Sequence, residues 1–553
     1  MQLETSDFQS GDTAVINYIN EMKVNYEKQY NALETRNQEL EKNIKEIVNN
    51  YENKIKETEL KYLVVKEQYE LLIYKRFVRS AEQLIADKNQ PLLFTEESKE
   101  PKTDKEEITE IKSYKRSKSG RKPIDPKLER RETILDVPDE DKTCACGAKL
   151  TRIGEETSEK LYIEPMKIYV ERIIRPKYAC RNCEGTEDES SPAVVIRAPE
   201  PAIIPKSIAS PGLLSTTITQ KFEMHLPYYR QEKQFNQIGV TISRQDMSNW
   251  QQKAFFALAL LFVLLKEALK SGPVMQMDET TVQVIGEEGR NDTQKSYMWL
   301  ARGGPPGKPV LWYEYHPTRA AEHARILLQG YSGYLQTDGY EGYDSAVRGM
   351  SGIIHVGCLA HIRRHFFEAA KISTQGKLAE EGLNYIRKLY DIEKKLRIEK
   401  DEKKKTDDWF LTERKKQAGP VIDEFKTWLM KRSEEVPPSL LLGEAIKYSL
   451  RQWDKMIRYL ESPYLTPDTN AAENAIRPFV VGRKSWLFCQ SPDGADSSCG
   501  MYTLIETAKQ NGLVPFQYLK VLFEKAPYAK TKEDWEKLLP WNISFQDSKK
   551  ENK

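Results

Sequence analysis

Between residues 15 and 75 the chain has neither proline nor glycine, and its apolar residues return every three or four positions. Ile19, Met22, Tyr26, Tyr30, Leu33, Leu40, Ile44, Ile47, Tyr51, Ile55, Tyr62, Val65, Tyr69 and Leu72 make up the series. Steps of three and four keep one seam of a helix turned the same way, which is the geometry of a coiled coil. Asn37 and Thr58 place polar groups in that seam, and Glu and Lys crowd the other faces. A single solvated amphipathic helix is the plainer alternative. So long a helix cannot bury its stripe against itself, so the pattern predicts an intermolecular coiled coil, parallel or antiparallel.

The remaining length bounds the rest. A chain of 553 residues holds several folding units. Lys and Arg number 85 against 83 Asp and Glu, a net charge of +2, which excludes a polyanion-coating protein but not local basic patches. The longest apolar run, Ala254–Leu265, has 12 residues, short of the roughly 20 that span a bilayer. No basic-then-apolar leader opens the chain, so a soluble cytoplasmic protein without a membrane partner is expected. Seven cysteines are too few, and odd in number, for a disulfide framework.

Four of those cysteines form two close pairs, Cys144 and Cys146 in "TCACGAKL" and Cys180 and Cys183 in "YACRNCEG". Paired knuckles across a strand-like spacer predict one structural Zn2+, with four unrelated buried thiols as the alternative. The first knuckle has one intervening residue where most zinc ribbons have two or more. The Pro/Lys/Ser-rich stretch before them, with "SYKRSKSGRKPIDP", reads as a basic linker. Beyond them, "LPYYRQEKQFNQIGVTISRQDMSNWQQKA" reads as helix, a turn at Gly239, and a second helix capped by Ser243. That pattern matches a helix-turn-helix, with Arg244, Gln245 and Asn249 facing a DNA groove. A helical hairpin with no DNA role has the same spacing.

After Pro273 the pattern changes to short strands. Val274–Ile285, Ser296–Arg302 and Pro309–His316 are followed by a helix over Arg319–Gly330 and strands over Tyr334–Tyr340 and Gly352–Cys358. This is the element order of a ribonuclease-H-like fold. Asp278 on the first strand and Asp338 at the end of the fourth fall where that fold carries two acids. Paired carboxylates of this kind bind a cation or share a proton. Two Mg2+ or Mn2+ ions about 3.5–4 Å apart can drive in-line attack on a phosphodiester. Glu473, on a later helix, is the third acid, with Asp468 in the preceding turn as its competitor. Arg477, Arg483 and Lys484 follow as candidate phosphate contacts, with plain surface charge as the alternative. Cys358, His361 and His365 in "CLAHIRRHFFEA" lack a fourth metal ligand, and with Arg363 and Arg364 they are expected to pack beside the acids and contact phosphate.

With these stretches in hand, the chain resembles the insertion-sequence-66 family of transposases. The matching segments are "RKPIDPKLERRETILDVP", the cysteine knuckles with "RPKYAC", "QMDET", "LQTDGYEGYD", "CLAHIRRHFFEA", "NAAENAIRPFVVGRKSWLF" and "ETAKQNGLVPFQYL". The resemblance implies a zinc-finger region, a ribonuclease-H-like domain and the triad Asp278, Asp338 and Glu473. It also implies cleavage at the element's ends and attack of the freed 3′ hydroxyl on target DNA.

The expected organisation is a multidomain α/β protein. It comprises a coiled coil (1–90), a linker (91–130), a zinc domain (131–204) and a helix-turn-helix-like region (205–272). A catalytic core (273–365 and 466–510) interrupted by a helical insertion (366–465), and a helical tail (511–553), complete it. Double-stranded DNA and further copies of the chain are the expected partners, and accessory proteins of the same element are left open. The nucleoid is the expected location. A DNA-binding assembly protein without chemistry, or a structure-selective nuclease, are the competing readings.

Overall fold

The computed structural model describes residues 13–77, 168–179, 194–373 and 375–543. These fall into two compact units, one of residues 1–80 with 199–553 and one of residues 81–198. In the smaller unit, strands β1 (Lys177–Ala179) and β2 (Val194–Ile196) pair antiparallel. The four clustered cysteines lie outside the described residues.

The larger unit begins with α1 (Thr13–Phe77), a single helix along whose length the apolar seam stays exposed. Among the described residues, only its far end is anchored. Glu67, 2 % exposed, accepts from Ser373 Oγ at 2.6 Å and from the Leu441 backbone N–H at 2.9 Å, and Lys75 pairs with Glu368 at 3.2 Å.

Four helices precede the sheet: α2 (Pro211–Phe222), α3 (Tyr228–Gln237), α4 (Arg244–Ala257) and α5 (Ala259–Lys270). Ser243 begins α4 with a capping box, its hydroxyl accepting from Asp246 N–H while the Asp246 carboxylate accepts from the Ser243 N–H. Gly239, at φ +81°, makes the turn between α3 and α4. The apolar run Ala254–Leu265 is divided at Leu258 between α4 and α5. Phe256 at the end of α4 faces solvent, and so do Leu260 and Val263, because α5 lays only one face on the sheet.

The sheet has five strands: β3 (Val274–Gln283), β4 (Lys295–Gly303), β5 (Val310–His316), β6 (Gly333–Gln336) and β7 (Ile353–Val356). Their spatial order is β5-β4-β3-β6-β7. The first three pair antiparallel, while β6 and β7 run parallel to β3. Helix α6 (Ala321–Leu328) joins β5 to β6, and α7 (Glu341–Val347), which the strand-to-strand reading did not anticipate, joins β6 to β7.

Helix α8 (Leu359–Ile372) leads into α9 (Gly376–Glu402), α10 (Asp407–Glu435) and α11 (Leu441–Met456). Phe366, Ile386, Phe425, Trp428 and Trp453 share their core. Arg414, its side chain fully buried, donates to the carbonyls of Tyr459 at 2.7 Å, Ser462 at 2.8 Å and Leu465 at 3.1 Å, and to Glu393 at 2.7 Å. It thereby fixes the loop that enters α12 (Asn470–Trp486), which packs on β3 and β4. Helix α13 (Pro492–Gln510) covers β5, and α14 (Pro515–Lys525) and α15 (Lys532–Glu536) close the described chain.

Candidate active site

Each of the three acids is delivered by a different element. Asp278 lies within β3, opposite Leu300 of β4, and its Oδ1 accepts the Glu279 N–H at 2.8 Å. Asp338 lies two residues past the end of β6, where its Oδ1 accepts the Tyr340 N–H at 3.0 Å. Gly339 must follow it, since a Cβ there would stand 2.2 Å from the Tyr448 hydroxyl of α11. Glu473 occupies the first turn of α12.

Beneath them runs a buried polar layer that sequence reasoning missed. Gln276 Nε2 donates to Gln336 Oε1 at 2.9 Å, and Gln336 Nε2 donates to the Thr466 carbonyl at 2.7 Å. Two buried glutamines at strand positions were the available signal, because an uncharged amide is buried only where it is bonded. They tie β3 and β6 to the loop before α12.

The three acids line one cleft of about 300 Å³ together with Met277, His361, Arg364, Thr469, Ile476, Arg477 and Val480. Burial and the neighbouring charges of Glu279, Glu473 and Asp338 push the Asp278 carboxyl up to about 7. Glu279 does not add to the cleft's free acids. It is held by Arg319 and the Tyr343 hydroxyl, and Arg319 stacks 3.7 Å above the Tyr340 ring. Asp468 stays off the cleft, its carboxylate accepting from Asn470 N–H at 3.1 Å and Asn470 Nδ2 at 2.9 Å.

The expected contacts from α8 separate. His361 reaches the cleft, with Nε2 3.8 Å from Glu473 Oε1, and Arg364 stands 3.8 Å from Glu473 Oε2. Burial pulls the His361 imidazole below its usual pKa, against the opposing pull of Glu473 and Asp338. His365 packs against Tyr448 instead, the rings tilted with centroids 4.5 Å apart, and Arg363 lies over Phe367. Cys358, His361 and Glu473 bring one ligand atom each within 4.8 Å of one another. The Cys358 sulfur, however, already accepts from Thr469 N–H at 3.3 Å and Thr469 Oγ1 at 3.2 Å. Burial pushes its thiol up to about 11, so it serves as a clasp at the start of α12 rather than as a thiolate ligand.

Of the later cations, Arg477 lines the cleft. Arg483 is turned to β3, donating to Thr281 Oγ1 at 3.1 Å, and Lys484 is exposed further along α12. Arg244, Gln245 and Asn249 lie on the exposed side of α4, opposite buried Met247, Trp250 and Ala254, with Gln245 donating to Asn249 at 3.0 Å.

The donor set suits hard divalent cations. Three carboxylates converge, burial and neighbouring negative charge raise one of them, and Glu473 Oε1 and His361 Nδ1 are buried without a hydrogen-bond partner among the described residues.

Comparison with known proteins agrees over most of the chain. Residues 206–497 match the model described as "Transposase IS66 family", and 141–184, which include the four clustered cysteines, match the zinc-finger binding domain of transposase IS66. Residues 503–541 match the IS66 C-terminal element and 65–133 match "Transposase C of IS166 homeodomain". The uncharacterized protein y4jD of Sinorhizobium fredii is 30% identical over 428 residues, which cover 75% of this chain and 80% of that one. Its y4hP, also uncharacterized, is 28% identical over 451 residues, 78% of each chain. With one model spanning more than half its length, the chain belongs to the IS66 family of transposases.

Proposed function

We propose that this transposase binds double-stranded DNA at the ends of its insertion sequence, cleaves a strand there and joins the freed 3′ hydroxyl to target DNA. One observation carries the reading: Asp278, Asp338 and Glu473, from three separate elements, line a single cleft with the cations Arg364 and Arg477. The strand order, with β3 central and β6 and β7 parallel to it, supports a ribonuclease-H-like core.

The three acids would hold two Mg2+ or Mn2+ ions. Bound there, such ions polarise the phosphodiester and acidify the attacking hydroxyl or water. The chain supplies the positioning. The Glu279 N–H and the Tyr340 N–H fix the Asp278 and Asp338 carboxylates, and the Cys358–Thr469 clasp sets the start of α12. Arg364 and Arg477 contact phosphate oxygens from the cleft wall. His361, its imidazole pulled below the usual pKa by burial, offers a ring nitrogen to a hydroxyl or water beside Glu473. Arg483 braces β3, and Lys484 extends the cationic surface along α12.

Arg244, Gln245 and Asn249 would read a groove, α1 would join two or more copies, and Cys144, Cys146, Cys180 and Cys183 would hold one structural Zn2+. No described helix is long and apolar enough to cross a membrane. Work on DNA implies a cytoplasmic, nucleoid-associated protein.

The test is nicking of a plasmid carrying the element's ends, in magnesium. Asp278→Asn, Asp338→Asn and Glu473→Gln should each lower it roughly a hundredfold or more while DNA affinity stays close to wild type. Near-native nicking by any one variant removes that residue from the site.

A further inference from the structure

Helix α12 ends in a strained turn. Leu487 adopts φ 68° and ψ −52°, and the Phe488 N–H closes back on the Trp486 carbonyl at 2.9 Å. This is a γ-turn with positive φ at a bulky residue, a rare and unfavourable conformation. Both flanks impose it. Before the turn, the Trp486 ring packs against Phe479 with centroids 5.6 Å apart. After it, Cys489 is laddered to the end of β3, donating to the Gln283 carbonyl and accepting from the Ile285 N–H, each at 2.9 Å. The result is that Leu487, 65 % exposed, and Phe488, 40 % exposed, are held at a tip in solvent.

A strained backbone that displays apolar side chains is a reason to look for a use. The setting supplies one. Beyond half-buried Glu473, the exposed residues Arg477, Val481 and Lys484 of α12 lead to this tip, so the apolar pair continues a cationic track that begins with Arg477 in the acid cleft. At 1.5 Å per residue the tip stands about 20 Å from Glu473, roughly six base-pair steps of duplex.

We infer that Leu487, backed by Phe488, is a wedge that enters a base step of the DNA lying along α12, while Arg477 and Lys484 hold its phosphates. Apolar side chains between base steps unstack and kink a duplex, and neighbouring cations secure the backbone. The inference rests on the DNA reading above and adds to it a distinct contact and a deformation of the substrate.

The test measures binding of the full chain, with divalent ions chelated, to a matched duplex and to the same duplex with one central mismatch. A mismatch unstacks cheaply, so the wild type should bind it roughly tenfold more tightly than the matched duplex. Leu487→Ala should abolish that preference and change matched-duplex affinity less than about twofold, whereas Leu487→Phe should keep it. Leu487→Gly should also abolish it, with a melting temperature equal to or above wild type, because glycine accepts positive φ freely; this separates lost contact from lost fold. Arg477→Ala with Lys484→Ala should weaken both duplexes alike. Equal wild-type affinity for the two duplexes, or full preference in Leu487→Ala, overturns the wedge while leaving the DNA reading in place. No binding to either duplex overturns both. If Leu487→Ala instead lowers the sedimenting mass, the tip covers another copy of the chain and the wedge is rejected.

Discussion

At the scale of single residues, the candidate site is an arrangement of buried and crowded charge that opposes folding. Burial first, and then the charges of Glu279, Glu473 and Asp338, push the Asp278 carboxyl up to about 7. Of the four acids, only Glu279 is fully answered by the chain, through Arg319 and Tyr343. Asp278→Asn nearly keeps the shape and removes one of the crowded charges. With divalent ions chelated at pH 8, the variant should therefore be more stable than wild type, by on the order of 2 kcal/mol. Magnesium should stabilise the wild type and leave the variant nearly unchanged, since only a bound state with all its ligands gains by mass action. Thermal melts with and without magnesium provide the check. A variant less stable than wild type in chelator would mean that the Asp278 charge is compensated in the fold.

At the scale of elements, short connections fix where the acids point. Asp344 of α7 accepts from Lys455 of α11 at 2.7 Å, and His355 of β7 bridges Asp344, at 2.9 Å, and Thr337, at 2.8 Å, beside Asp338. The His355 hydrogen bond and Lys455 hold the Asp344 carboxyl down to about 2, against the upward push of burial. A depressed carboxyl stabilises the folded state above its unfolded pKa of about 3.9, and that contribution is lost as pH falls through about 2. Asp344→Asn should thus cost about 1 kcal/mol at neutral pH, discounted for the group's partial exposure, and its deficit should shrink as pH falls from about 4 towards 2. A second joint is Glu67, which receives the Leu441 N–H at the start of α11 and the Ser373 hydroxyl. Glu67→Ala would leave the Leu441 donor unmet, costing about 1–3 kcal/mol, and should open the end of α1 to proteolysis while the sheet stays protected. Equal cleavage rates in variant and wild type would show that the helix is held by other contacts.

Much of this frame was legible in the sequence because period and punctuation agreed. The strands around Asp278 and Asp338 are short runs bounded by Gly, Asn and Pro, and Ser243 announced α4. The break at Leu258 was not legible, since an unbroken apolar run carries no stop signal. Nor was α7, seven residues long with Gly342 inside it and no capping hydroxyl. The glutamine layer and the Cys358 clasp depend on residues far apart in the chain meeting in space, which no local pattern reports. Likewise, Asp468 and Glu473 are both acids near one helix start, and only the helix's seating on β3 and β4 distinguishes the one in the cleft.

For the whole molecule, the open question is what covers the seam of α1. Its apolar residues are exposed along the helix, Tyr26 at 74 % and Val65 at 68 %, and a helix of 65 residues extends roughly 100 Å. An isolated stripe of that length in water is unfavourable, and a partner helix with the same three-four spacing would bury it by knobs-into-holes packing. On the proposed function another copy of this chain would present that partner, and joining two transposon ends in one complex would give the association a purpose. The anchored end matters for the design of the experiment. Deleting residues 1–60 removes most of the seam yet leaves Glu67 and Lys75 on their partners, so the rest of the fold should keep its melting temperature. The truncated protein should sediment as a smaller assembly than the full chain, and joining of paired ends should fall much further than nicking of a single end. If the sedimenting mass per particle drops only by the deleted residues, the seam does not hold copies together, and its apolar face must be buried by another part of the same chain or by a different protein.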